Sequence, residues 1–139
     1  MELADETYEQ ICALSQRGND LADEGSLEEA LLCFEDAWDL LPEPKIDWDA
    51  ARWLLAAIGD LQFQLGELHA ARENLSLAML TPKAIENPFL HLRLGQVQFE
   101  LGQMIEAADE LGRAYELDGT RVFNGEDPKY LELVKAKLS

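Results

Sequence analysis

Apolar residues recur along this chain at the three- and four-residue spacing of amphipathic helices, and no stretch alternates as a strand would. The pattern predicts helices near 5 to 24, 26 to 41, 47 to 65, 67 to 80, 87 to 101 and 104 to 117. A loop follows, marked by the turn-forming dipeptides Asp118-Gly119 and Asn124-Gly125. Asp127-Pro128 then reads as a cap and first helical position. The last helix runs from Lys129 to Leu138, with Tyr130, Leu131, Val134 and Leu138 on one face. The prediction is an all-α chain with connections short enough to make neighbouring helices antiparallel.

The helices repeat. Residues 58 to 66 read Ile-Gly-Asp-Leu-Gln-Phe-Gln-Leu-Gly and residues 94 to 102 read Leu-Gly-Gln-Val-Gln-Phe-Glu-Leu-Gly, 36 positions later. Small residues follow at the same offset, Ala71 with Ala107 and Ala78 with Ala114. A weaker copy lies upstream, from Gly18 to Gly25, continued by Ala30, Phe34 and Ala37 and closed by Pro42. Gly18, Gly59 and Gly95 fall inside helices, where glycine costs about 1 kcal/mol against alanine, so each calls for a closely approaching neighbour. Gly25, Gly66 and Gly102 suit helix C-caps. Ser26 and Glu29 have the spacing of a capping box for the second helix.

Leu-Gly, a gap, Leu-Gly, then Ala, a large apolar residue, Ala and a closing Pro resembles the tetratricopeptide repeat, a helix-turn-helix unit of about 34 residues. The likeness covers residues 11 to 119 and divides them into repeats at about 11–44, 52–83 and 88–119, with a C-terminal helix at 127–138 as the terminal cover. It implies one domain over 1–139 built as a short right-handed solenoid. Three departures stand out. Gln62 and Gln98 occupy positions where the family has an aromatic, with Phe63 and Phe99 one step later; Arg17 replaces an apolar residue; and Gly66 follows Gly25 by 41 residues. The extra length leaves room for the connection Glu43-Pro44-Lys45-Ile46 and for an added turn on the next helix.

Charge narrows the partners. With 28 acidic against 11 basic residues the net charge is −17, a field that repels nucleic-acid phosphates and anionic membranes. It is uneven: residues 1 to 49 carry 15 acids against Arg17 and Lys45, whereas residues 121 to 139 carry a slight basic excess. A basic protein would be steered toward the N-terminal part. No apolar run is long enough for a membrane span and the N-terminus is acidic, so the expectation is a cytoplasmic protein. Cys12 and Cys33 lack a metal-ligand spacing and read as reduced, buried thiols.

Candidate chemistry is sparse. His69 and His91 have no His-Glu-x-x-His arrangement and read as surface or packing residues. No phosphate-cradling glycine loop or nucleophile elbow occurs, so neither cofactor, metal nor catalysis is expected. Binding has more support. The resemblance implies a concave surface lined by the first helix of each repeat, and the matching positions are Ser15, Asn19 and Asp23; Trp53, Ala56, Asp60, Phe63 and Gln64; and Phe89, Leu92, Gln96, Phe99 and Glu100. Aromatic anchors beside amides and acids fit a protein-recognition groove. Chaperone-tail binders of this family line that groove with lysine and arginine, which are missing from these positions. The expectations are therefore a non-enzymatic binder of a basic protein, such as an immunity protein neutralising a bacterial toxin. A type III-like secretion chaperone and a structural adaptor, including a self-assembling one, are the alternatives.

Overall fold

The computed structural model describes residues 3–138. Its helices are α1 (Asp5–Asp23), α2 (Leu27–Asp39), α3 (Asp49–Gln64), α4 (Leu68–Ala78), α5 (Pro88–Glu100), α6 (Met104–Asp118) and α7 (Pro128–Leu138). Among the described residues there is no strand. All helices lie within a few residues of their expected places. Three 3-10 turns were not legible: Lys45–Asp47, Ala84–Glu86 and Arg121–Phe123. The added turn before α3 is one of these, separate from the helix and not an extension of it. Its Lys45 donates to the carbonyls of Leu41 (2.7 Å) and Trp38 (3.0 Å) at the end of α2, where Trp38 O also accepts from the Leu41 amide.

The helices pack as pairs, α1 with α2, α3 with α4 and α5 with α6. Each pair shares its core with the first helix of the next. Ile11, Phe34 and Ala37 close over Leu54 and Ile58 of α3; Leu55 and Leu75 close over Leu90, Leu94 and Val97 of α5; Leu111 and Ala114 close over Phe123, Tyr130 and Val134. A core passed on this way is the signature of a helical-repeat solenoid, in which each unit depends on its neighbours. The helix α7 covers the last pair with Tyr130 and Val134, but Leu138, expected on that face, is 67 % exposed.

Glycine explains the close pairing. A Cβ on Gly59 would stand 2.5 Å from Leu75 Cγ, and one on Gly95 2.7 Å from Leu111 Cγ, so only glycine lets the second helix of the pair approach. The six expected small residues, Ala30, Ala37, Ala71, Ala78, Ala107 and Ala114, are fully buried in the same seams.

The three intra-pair turns are built alike. At the second, Gly66 (φ +79°) donates to Phe63 O (3.1 Å) and Glu67 donates to Gln62 O (2.8 Å), and the same bonds recur around Gly25 and Gly102. This paired pattern satisfies the last carbonyls of the first helix. It also explains why the expected capping box does not form. The Ser26 amide that Glu29 would have accepted is already donated to Leu21 O at 2.9 Å, and the Ser26 side chain makes no capping bond.

Candidate binding surface on the inner face of the stack

The first helices α1, α3 and α5, followed by α7, form one face of the stack. The sequence-expected groove residues divide by burial. Ser15, Leu92 and Gln96 are buried. Ser15 turns its hydroxyl back to Ile11 O (2.8 Å), and Leu92 belongs to the core under α7. These three support the face and do not line it. Asn19, Asp23, Gln64 and Glu100 are exposed, while Trp53, Ala56, Asp60, Phe63, Phe89 and Phe99 are half-buried.

A residue not expected there organises the α3–α5 part. Arg93 lies 5.1 Å from the Phe63 ring centre and 5.0 Å from that of Phe89, so its guanidinium joins aromatics from two repeats. Its Nη1 meets Glu126 Oε1 at 2.8 Å and donates to Gln96 Oε1; Gln96 in turn donates to Glu126 at 2.6 Å. Nε stands 2.8 Å from Asp60 Oδ1, in a direction that makes the pair coulombic without an aligned hydrogen bond. Burial pushes the Asp60 carboxyl above its ordinary range, against the opposing pull of Arg93 and of Gln64, which donates at 3.1 Å. A second cation completes the α5–α7 end. Lys129 pairs with Glu100 at 2.8 Å and lies 5.3 Å from both Phe99 and Tyr130, whose rings meet edge to face at 5.2 Å.

Two consequences follow for the expected groove. Lysine and arginine do reach this face, but each is already held by the chain's own carboxylates and rings. The carboxylates Asp60, Glu100 and Glu126 are correspondingly neutralised from within. In the α1–α3 part, Asn19 and Asp23 are exposed, Trp53 and Ala56 are half-buried, and none of the four forms an ion pair or cation–ring contact within the described residues. The sequence marks Arg93 only weakly, since the matching position 36 residues earlier is Ala57.

His91 is the other polar group that sequence reading undervalued. It is buried, with Nδ1 2.6 Å from Glu110 Oε2 and Nε2 2.8 Å from Ile85 O. Both ring nitrogens face acceptors, which suits the doubly protonated ring. The Glu110 hydrogen bond holds its pKa above the ordinary value, aided by Ile85 O and opposed by burial and Arg113. His69, by contrast, is exposed. Cys33 is buried and Cys12 half-buried, and both are free thiols. Among the described residues no cluster of ligands could hold a metal ion, and no helix is long and apolar enough to cross a membrane.

No protein-family model and no curated protein matches the chain. Solved structures do. The first tetratricopeptide domain of Spaghetti (RPAP3), solved with the HSP90 peptide SRMEEVD, superposes with a TM-score of 0.73 at 20 % identity, covering 94 % of this chain and 95 % of that one. The type III secretion chaperone SycD of Yersinia enterocolitica, in complex with a peptide of the translocator YopD, gives 0.73 at 20 % identity over 99 % and 98 %. PcrH with the chaperone-binding region of PopD gives 0.67 at 20 % over 96 % and 87 %. Repeated glycine seams, a core handed from pair to pair and these superpositions together establish that the chain has the tetratricopeptide-repeat fold over nearly its whole length.

Proposed function

We propose that this chain is a non-enzymatic protein-binding module, and that the α1–α3 part of its inner face receives an extended segment of a basic partner. The observation that carries the reading is the division of that face: its α5–α7 end is filled by Arg93, Lys129 and their own partners, whereas Trp53 and Ala56 stay part-open on the face that also carries the exposed Asn19 and Asp23. A rigid aromatic with an amide and an acid further along the same face supplies an apolar anchor and a polar rim for an extended segment. The net charge of −17 supports a basic partner by steering its approach. Neutralising a basic toxin is one use of such a surface.

Chaperoning an exported client is a second reading, and the superpositions on SycD and PcrH, both solved with client segments, favour it. The two uses are separated by the partner retained from the native host at low salt. A stoichiometric basic toxin whose co-expression with this chain restores growth marks the first, and a secretion client marks the second. With that partner in hand, Trp53→Ala should weaken binding by about 2 kcal/mol or more, and the milder Asn19→Ala by about 1 kcal/mol. Unchanged affinity in both variants, with the helical circular dichroism retained, would move the contact off the inner face.

A further inference from the structure

Acidic residues also line a groove on the opposite side of the stack. The helix α2 presents Glu35, Asp36 and Asp39 along one wall of a groove of about 390 Å³ that runs between α2 and α4. Its floor is apolar: Leu55 and Ile58 of α3, with Trp38 half-buried and Leu32 60 % exposed; Asn74 of α4 forms the far wall. None of the three carboxylates forms an ion pair within the described residues. Lys45 lies 5.7 Å from the Trp38 ring centre, but its ammonium is turned to main-chain carbonyls. Burial first, and then the neighbouring Asp39, Glu67 and Asp36 carboxylates, hold the Glu35 carboxyl above its ordinary range.

The contrast with the inner face is direct. There the half-buried Asp60 and Glu126 share a cation of the chain's own, while here three exposed carboxylates on one helix wall form no ion pair among the described residues and stand beside an exposed leucine and a tryptophan. We infer that the α2–α3–α4 groove is a second docking surface, whose occupant is a segment of another protein carrying an apolar side chain flanked by lysine or arginine. The apolar residue would cover Leu32 and Trp38 over the Leu55–Ile58 floor, and its basic neighbours would neutralise the α2 wall. Charge complementarity selects the partner, and the apolar floor distinguishes docking from a diffuse counter-ion atmosphere. This surface is independent of the inner face and stands whether or not Trp53 is used.

The test uses the full chain, isotopically labelled, titrated with a synthetic peptide of one leucine flanked by lysines and followed by nuclear magnetic resonance. Shifts should concentrate at Leu32, the Trp38 indole and the Asn74 side-chain amide. The triple variant E35Q/D36N/D39N should bind about tenfold more weakly, while the charge-matched E6Q/E9Q/E24Q should lose less than about threefold. Trp53→Ala should leave this binding unchanged, which separates its failure from that of the inner-face reading. Equal weakening in both triple variants would reduce the effect to overall charge, and shifts centred on Trp53 would return the basic segment to the inner face. A concentration-dependent dimer abolished by Leu32→Ser would give the groove to a second copy of the chain. Any of these three results overturns the inference.

Discussion

The pairs α3–α4 and α5–α6 are nearly the same object built twice. Gly59 and Gly95, Leu75 and Leu111, Gly66 and Gly102 occupy equivalent places 36 residues apart and do equivalent work. They diverge where the side chains are polar. Leu55, Ala57, Asp60 and Asn74 in one pair correspond to His91, Arg93, Gln96 and Glu110 in the other. In the α3–α4 pair Asn74 donates to the buried Gln62 at 2.9 Å. In the α5–α6 pair Glu110 is engaged by His91, and the equivalent Gln98 keeps a buried Oε1 without a donor. The later pair thus replaces apolar packing and a neutral amide bond with ion pairs, His91 with Glu110 inside the pair and Arg93 with Glu126 in the segment before α7. A repeat fixes the spacing of its helices, and its variable positions are left to decide whether a face is open or locked.

The largest effect expected from breaking that contrast comes at Arg93. Reverting it to the residue of the earlier pair, Arg93→Ala, strips Asp60 and Glu126 of their shared cation and should cost about 3 kcal/mol in urea unfolding. A loss below about 1 kcal/mol would show that Arg93, 12 % exposed, behaves as an ordinary surface pair after all.

Next come the glycine seams. The three atoms nearest a methyl on Gly59 all belong to the Leu75 side chain, whereas on Gly95 one of the three is the Leu111 backbone nitrogen at 3.1 Å, which cannot rotate aside. Overpacking costs about 1–3 kcal/mol, reduced by about 1 kcal/mol of helix propensity, so both alanine variants should be destabilised and Gly95→Ala the more. A reversed order on thermal unfolding would mean that Leu75 is the less adaptable neighbour.

The mildest change is the double swap His91→Leu with Glu110→Asn, which rebuilds the earlier pair's chemistry and provides the Gln98 oxygen with an amide donor. Replacing a buried ion pair by packing should alter stability at pH 6 by no more than about 1–2 kcal/mol in either direction. Its signature is in pH. Because the folded ring holds its proton above the ordinary value of 6.5, its contribution is complete below that value and is lost as pH rises through the raised one. The wild type should therefore lose stability above neutrality, and the double variant should lose less. Parallel pH profiles for the two would rule out His91 as the source.

Much of this was legible without coordinates. Helical periodicity and the 36-residue offset place the helices, the glycine seams and the C-cap turns, because these depend on backbone geometry that recurs with each repeat. Local signals failed where two elements compete for one group. The Ser26 and Glu29 spacing was correct for a capping box, yet the preceding helix had already taken the amide. Leu138 fits the apolar stripe of α7 but lies past the end of the core it was expected to cover.

The sequence by itself determined the helices, their pairing and the order of the stack, since each follows from short-range periodicity and from glycines at fixed offsets. Only the tertiary structure decided which charges meet. Arg93 reaches Asp60 across 33 residues and Glu126 across another 33, and Glu35, Asp36 and Asp39 form no ion pair among the described residues. Such pairings depend on where long side chains end and not on where they begin, and spacing along the chain carries no record of that.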